Sequence, residues 1–193
     1  MEYDVMKKEK STITEFTGHE RIPVENLLVG NYKNRYCKQV NPFHKITISK
    51  PEKWLIEAAA DIGLDYSKLS HEVTSDFKDH VMKRHGQGEL LITDKDHEKI
   101  PEIVKNPDLA LIGIIRKGEL RNVYVKMEPG VTYLYFDKVL NSNRNRVLRG
   151  VTFFKIVKRL DMEKLEKIVG MNGKTDFSKA KKIAAGGHPG EEA

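Results

Sequence analysis

Three of the seven histidines fall within sixteen residues, His71–Gly86, HEVTSDFKDHVMKRHG. His80 and His85, beside Lys83 and Arg84, make a possible acid/base pair in a basic setting, since imidazoles exchange protons near neutral pH. A surface or core histidine is the plainer reading of each. Their spacing of five puts them about 140° apart around an ideal helix, so they converge only if the helix loosens at His85 or a substrate lies across its end. That spacing suits a shared zinc poorly, because two histidines on one helix usually ligate from i, i+3 or i, i+4. With no second ligand cluster in the chain, no metal is expected.

The other polar groups with chemical use lie late in the chain. A run of strands carries Lys126, Tyr133, Tyr135, Thr152 and Lys155, and the loop 141–149 adds Arg144, Arg146 and Arg149. Two histidines with such cations suit RNA cleavage without a metal. A base takes the 2′-hydroxyl proton, an acid protonates the leaving 5′-oxygen, and a cation meets the charge on phosphorus. The RNA supplies the nucleophile, so the protein needs neither serine nor cysteine. Solvated charges and good strand formers would look the same. Thr152 and Lys155, three apart, face opposite sides of a regular strand. Both serve one site only through a bulge or from the strand end.

The elements that must position these groups can be read in order. Residues 1–18 are polar and aperiodic, a loose arm. A short patch around Val24–Leu28 and a brief strand at Ile46–Ile48 follow, with His44 structural. SKPEKWLIEAAADIG is a helix, with Ser49 and Glu52 as its capping box, Leu55, Ala58, Ala59 and Ile62 as its apolar stripe, Trp54 as an anchor on the core and Gly63 as its stop. In the histidine helix Thr74 or Ser75 is the cap, Phe77 and Val81 the apolar edge and Gly86 the stop. Leu90–Ile92 is extended. Thr93 with Asp96 caps a short turn bearing a solvated His97, and Pro101 separates it from a second turn ending at Asn106-Pro107.

From Ala110 the period changes to two. ALIGIIR, LRNVYVKM, VTYLYFDKVL and VLRGVTFFKIVKR read as four strands joined by turns at Lys117-Gly118 and Pro129-Gly130 and by the loop 141–149. Asp161 caps a last helix with Met162, Leu165, Ile168 and Val169 on one face, packed on the sheet or on a partner. The fold expected is α+β: N-terminal helices packed on a four-stranded antiparallel meander sheet whose other face is open, plus a C-terminal helix. The divisions expected are an arm over 1–45, an α+β domain over 46–158, the helix over 159–174 and a disordered, glycine-rich tail over 175–193 in which His188 has no role.

Composition bounds the function. The chain has 193 residues, 32% charged and 39% apolar, which suits one soluble domain with extra segments. No apolar run approaches a membrane span, and the start lacks a secretory leader's apolar stretch. Cys37 is the only cysteine, which excludes an internal disulfide and points to a reducing compartment. The net charge is +6, permitting a nucleic-acid partner without demanding one. No phosphate-binding glycine loop, no G-x-S-x-G and no histidine near Cys37 are found. No cofactor is expected.

Several separated pieces appear in one order: ISKPEKWLIEAAADIGLDYSKLS, the H-x4-H-G helix end, LLITDKDHEKIPEIVKNPD, and four strands ending VTFFK with its T-x-x-K. Over residues 46–158 this resembles the phage-borne barnase–EndoU–colicin–RelE-like nuclease domains, found in phage and integrated-element proteins, often as C-terminal toxin modules. The resemblance implies helices packed on a four-stranded antiparallel sheet. It implies His80 and His85 as the acid/base pair, Thr152 and Lys155 as phosphate contacts, His71 as a supporting or substrate-contacting residue, and Tyr135 as a weaker match. The chain departs from the family pattern at GQGELL, which lacks a basic residue before its glycine, and at His97, where an aromatic is common.

The function expected is a metal-independent endoribonuclease, a phage or mobile-element toxin acting in a bacterial cytoplasm on tRNA or mRNA. His80, His85, Thr152 and Lys155 would be catalytic. His71, Arg84, Lys126, Tyr135, Arg144, Arg146 and Arg149 would bind RNA, and an immunity protein is a possible partner. A catalytically silent nucleic-acid- or protein-binding module is the alternative, and a phage structural accessory a third reading.

Overall fold

A computed structural model of the chain describes residues 45–86, 90–141, 146–171 and 174–184. The arm before Lys45, Arg144 and the glycine-rich end from residue 185 lie outside these residues. In chain order the elements are β1 (Lys45–Ser49), α1 (Lys53–Ala60), β2 (His71–Thr74), α2 (Ser75–His85), α3 (Asp94–His97), α4 (Ile100–Lys105), β3 (Leu109–Arg116), β4 (Glu119–Glu128), β5 (Val131–Asn141), β6 (Arg146–Ile156), α5 (Met162–Gly170), β7 (Thr175–Asp176) and β8 (Lys181–Ala184).

The class is α+β, but the sheet is larger than expected. Eight strands run in the order β1-β2-β6-β5-β4-β3-β7, with β8 also paired to β3. Strands β3 to β6 pair antiparallel with their chain neighbours, whereas β2 lies parallel to β6 at His71 and Glu72. The tail expected to be disordered from residue 175 instead supplies β7 and β8. Backbone hydrogen bonds along the β3 edge hold these pieces, and such bonds leave little trace in side-chain pattern. β2 is short and buried throughout, so it shows no alternation.

Lys117 and Gly118 join β3 to β4 with φ of 52° and 76°, the left-handed pair whose twist matches a hairpin. Within β3 the register shifts between Ile112 and Ile114. Gly113 there has φ 80°, and a Cβ on it would stand 2.4 Å from Ile62 Cδ1.

Both faces are covered. On one, Leu55 of α1, Phe77 and Val81 of α2 and Ile103 of α4 pack against Tyr124, Tyr135 and Phe153. On the other, expected to be open, Leu165 and Val169 of α5 cover Leu111, Val123, Leu134 and Phe136. Trp54 does anchor α1: its Nε1–H donates to the Lys105 carbonyl at 2.9 Å. The caps at Thr74, Thr93 and Asp161 form as expected. Ser49 is not a cap, because it closes β1 and α1 starts at Lys53. Pro51 disfavours helical dihedrals at Lys50 and delays the start. Among the described residues, no helix is long and apolar enough to cross a membrane.

Candidate active site

Strand β2 runs into α2 without a loop. The Thr74 hydroxyl accepts from the Phe77 N–H at 3.2 Å, satisfying one open donor of the first turn. Phe77 and Val81 are buried, and the helical repeat then leaves His80, Lys83 and Arg84 exposed and His85 half-buried at the C-terminal end. The Gly86 N–H closes on the Met82 carbonyl at 3.1 Å, and the Ile92 N–H donates to the His85 carbonyl at 2.6 Å. The returning chain is thus tied to the last residue of the helix.

From that end, His85 Nε2 comes within 3.4 Å of Thr152 Oγ1 on β6. The imidazole packs on Phe154, with ring centroids 5.4 Å apart. Burial, and then the nearby His80 and Arg84, lower the pKa of His85 from its usual 6.5. A half-buried imidazole with a lowered pKa is suited to accept a proton through the ring nitrogen that Thr152 does not face.

The strand register explains how the helix reaches Thr152. Phe136 pairs with Thr152 but Asp137 pairs with Gly150, so Val151 is an extra residue and Thr152 shares the face of Phe136. That face is the one covered by α5. Among the described residues, β6 has no strand partner beyond Arg149 on the side of β2. His85 reaches Thr152 and Phe154 across this edge.

Lys155 lies on the opposite face, across from Tyr133. The bulge precedes Thr152 and so does not bring the two together. Lys155 Nζ donates to both carboxylate oxygens of Asp96, at 2.9 and 3.1 Å. Asp96 also accepts from the Tyr133 hydroxyl at 2.9 Å, the Thr93 N–H at 2.7 Å and the Thr93 hydroxyl at 2.8 Å. Burial raises the pKa of Asp96, but the donors Lys155, Thr93 and Tyr133 outweigh it and hold the carboxyl below its usual value.

The remaining expected site residues divide by exposure. Arg84 and Arg146 are exposed. Arg149 is held by Glu72 at 2.9 and 3.2 Å. Lys126 donates to the Asn106 carbonyl at 2.7 Å and faces Asp108 at 3.5 Å. His71, expected to support the site or touch substrate, and Tyr135, expected to touch substrate, are 1% and 0% exposed. Both stand at inward positions of strands covered by helices, which removes them from any surface. His97, expected to be solvated, is buried between the rings of Phe77 and Phe153, because its turn folds down onto the sheet.

Two acidic residues were missed. Asp96 reads in sequence only as a helix cap. Asp137 is wholly buried, accepts from Asn122 Nδ2 at 2.8 Å and faces His71 Nδ1 at 3.3 Å. Its signal was available, since Asp137 shares the parity of Tyr133 and Tyr135 in VTYLYFD. Among the described residues, no group of three or more His, Cys, Asp or Glu is placed to hold a metal ion.

A family model described as phage-Barnase-EndoU-ColicinE5/D-RelE like nuclease3 matches residues 49–163, more than half of the chain. That span takes in α2, the Asp96 cluster and β6. Neither a search of curated proteins nor one of solved structures finds a match.

Proposed function

The chain belongs to the phage-Barnase-EndoU-ColicinE5/D-RelE like nuclease family, and from this premise we propose that it is a metal-independent endoribonuclease. The observation that carries the proposal is the half-buried His85 within 3.4 Å of Thr152, its pKa lowered by burial, on a helix whose exposed face bears His80 and Arg84. Unprotonated His85 takes the proton of a ribose 2′-hydroxyl. The 2′-oxygen bonds to phosphorus as the bond to the 5′-oxygen breaks, and protonated His80 gives its proton to that leaving oxygen. The products are a 2′,3′-cyclic phosphate and a 5′-hydroxyl. Arg84, next to His85, meets the charge on the phosphorane. Thr152 orients the imidazole. Arg146, with Arg144 in the same loop of sequence, holds the RNA backbone, and that grip weakens as salt rises.

Lys155 takes a positioning role here, because its ammonium is shared between both oxygens of Asp96. The biological setting we infer is a phage or mobile-element toxin acting on tRNA or mRNA in a bacterial cytoplasm, restrained by an immunity protein that covers the α2–β6 edge.

The test is cleavage of total cellular RNA in excess EDTA by the full chain and by its His80→Ala and His85→Ala variants. Discrete fragments with 2′,3′-cyclic phosphate ends, lost in both variants, are expected. Cleavage that EDTA abolishes, or that survives both substitutions, overturns the mechanism. One observation favours a second reading, a catalytically silent nucleic-acid-binding module: Lys155 and Arg149 are each neutralised by a carboxylate. Salt-sensitive RNA binding without cleavage would establish it.

A further inference from the structure

Two ionisable side chains deep in the core take no part in that chemistry. His71 and Asp137 are 1% and 0% exposed, with His71 Nδ1 3.3 Å from Asp137 Oδ2 and neither of these two atoms hydrogen-bonded to any other group among the described residues. Such a pair is costly to bury, and apolar residues of the same size commonly stabilise a core better. Its place in the chain gives it a use. His71 begins β2, the strand that becomes α2 with no intervening loop. Asp137 stands at the register shift of β5 against β6, where Val151 is left over and Thr152 is turned to the far face. One end of the pair therefore lies where the strand that launches the His85 helix begins, and the other lies at the bulge that presents Thr152.

The surroundings hold each end. Asn122 Nδ2 donates to Asp137 at 2.8 Å, and Asn122 Oδ1 accepts from the Tyr66 hydroxyl at 3.1 Å and from the Gly113 N–H at 3.0 Å. Asp137 is thus fixed through β4 to the bulge of β3. On the β2 side, the next residue, Glu72, grips Arg149 of β6. A shift of β2 along β6 would break both links together.

We propose that His71 and Asp137 are positioning residues of the candidate site, a buried pair that sets the His85–Thr152 contact by locking β2, and so α2, to the β5–β6 bulge. This rests on the reading of His85 and Thr152 as the site. The pair touches no substrate and acts only through the two elements it joins.

The experiment uses the full chain and its Asp137→Asn, His71→Gln and Thr152→Val variants. Two readouts are taken: the 1H–13C resonance of the His85 imidazole at fixed pH, assigned by its loss in His85→Ala, and kcat and KM for RNA. In folded Asp137→Asn and His71→Gln protein, the His85 resonance is expected to move toward its position in Thr152→Val. kcat is expected to fall roughly tenfold or more with KM little changed, as for a misplaced base. An unchanged His85 resonance in a folded variant overturns the assignment. So does failure of both variants to fold, which would make the pair a requirement of the fold as a whole. A wild-type chain that cleaves no RNA removes the proposed function and leaves the resonance arm as the test of the coupling.

Discussion

His85 Nε2 lies 3.4 Å from Thr152 Oγ1, although α2 packs on one face of the sheet and Thr152 belongs to the other. The contact crosses the edge of β6, beside the packing of the imidazole on Phe154. Thr152→Val keeps the shape and the strand propensity while removing the hydroxyl. With the imidazole no longer oriented, kcat for RNA cleavage should fall about tenfold, the worth of one hydrogen bond to a group that becomes charged in the reaction. KM should hold, because the contact Thr152 makes in this fold is with His85. Steady-state kinetics on a defined oligonucleotide checks both.

The pH profile should carry the lowered pKa of His85. A general base works deprotonated, so on the acidic limb kcat/KM rises with pH through that pKa; the general acid works protonated and turns the profile down at higher pH. Burial is the first cause of the lowering, and the nearby His80 and Arg84 add to it. The acidic limb should therefore have its midpoint below 6.5. Replacing Arg84 by Gln removes one repelling charge and should move the midpoint upward. A midpoint that stays put in Arg84→Gln, or a wild-type limb above 6.5, would place the base elsewhere.

What sequence could show of this site follows from which forces leave periodic marks. The capped helix with Phe77 and Val81 inward was legible because caps and apolar spacing are local, and the two-residue period exposed β3 to β6. Thr152 and Lys155 face opposite sides, as a spacing of three in a strand requires. The burial of His71 and Tyr135, which leaves them no substrate contact, could not be read because burial of a polar side chain depends on what covers it, here the helices packed on their face. The burial of His97 has the same cause, and Asp96 reads in sequence as a cap alone, whereas in the fold Lys155 and Tyr133 share it. β2, β7 and β8 are held by backbone pairing to strands distant in the chain, which single-residue patterns do not encode.

His97 should make the protein sensitive to mild acid. Burial, and then the charge of Lys78, hold its pKa down at about 4, against the opposing pull of Asp94 and Asp96. The unfolded chain takes up a proton near 6.5, whereas the folded chain does so only near 4. The stability is therefore full above the unfolded value and is lost as pH falls through this window. Between pH 7 and pH 5 the loss is about 2 kcal/mol, at 1.36 kcal/mol per unit of pH. His97→Phe fits a site already walled by Phe77 and Phe153 and should lose that much less over the same interval. Urea unfolding of both proteins at the two pH values measures the difference.

Lys155 separates a structural from a catalytic reading of the sheet face. Its Nζ bonds both oxygens of Asp96, and both side chains are largely buried, at 17% and 7% exposure. Lys155→Met leaves the carboxylate with the Thr93 and Tyr133 donors and no cation, which should cost about 2 kcal/mol at pH 7, less than a fully buried pair. Asp96 has a lowered pKa in the fold, so its contribution is complete above the unfolded value near 3.9 and fades as pH falls through the folded one. The gap between wild type and Lys155→Met should narrow below pH 4. In cleavage at a temperature where the variant is folded, a group acting through Asp96 should cost less than about tenfold, whereas a cation on the phosphorane is worth a hundredfold or more. A loss of the larger size, with folding intact, would put Lys155 on the phosphate and require the Asp96 pairing to open when RNA binds.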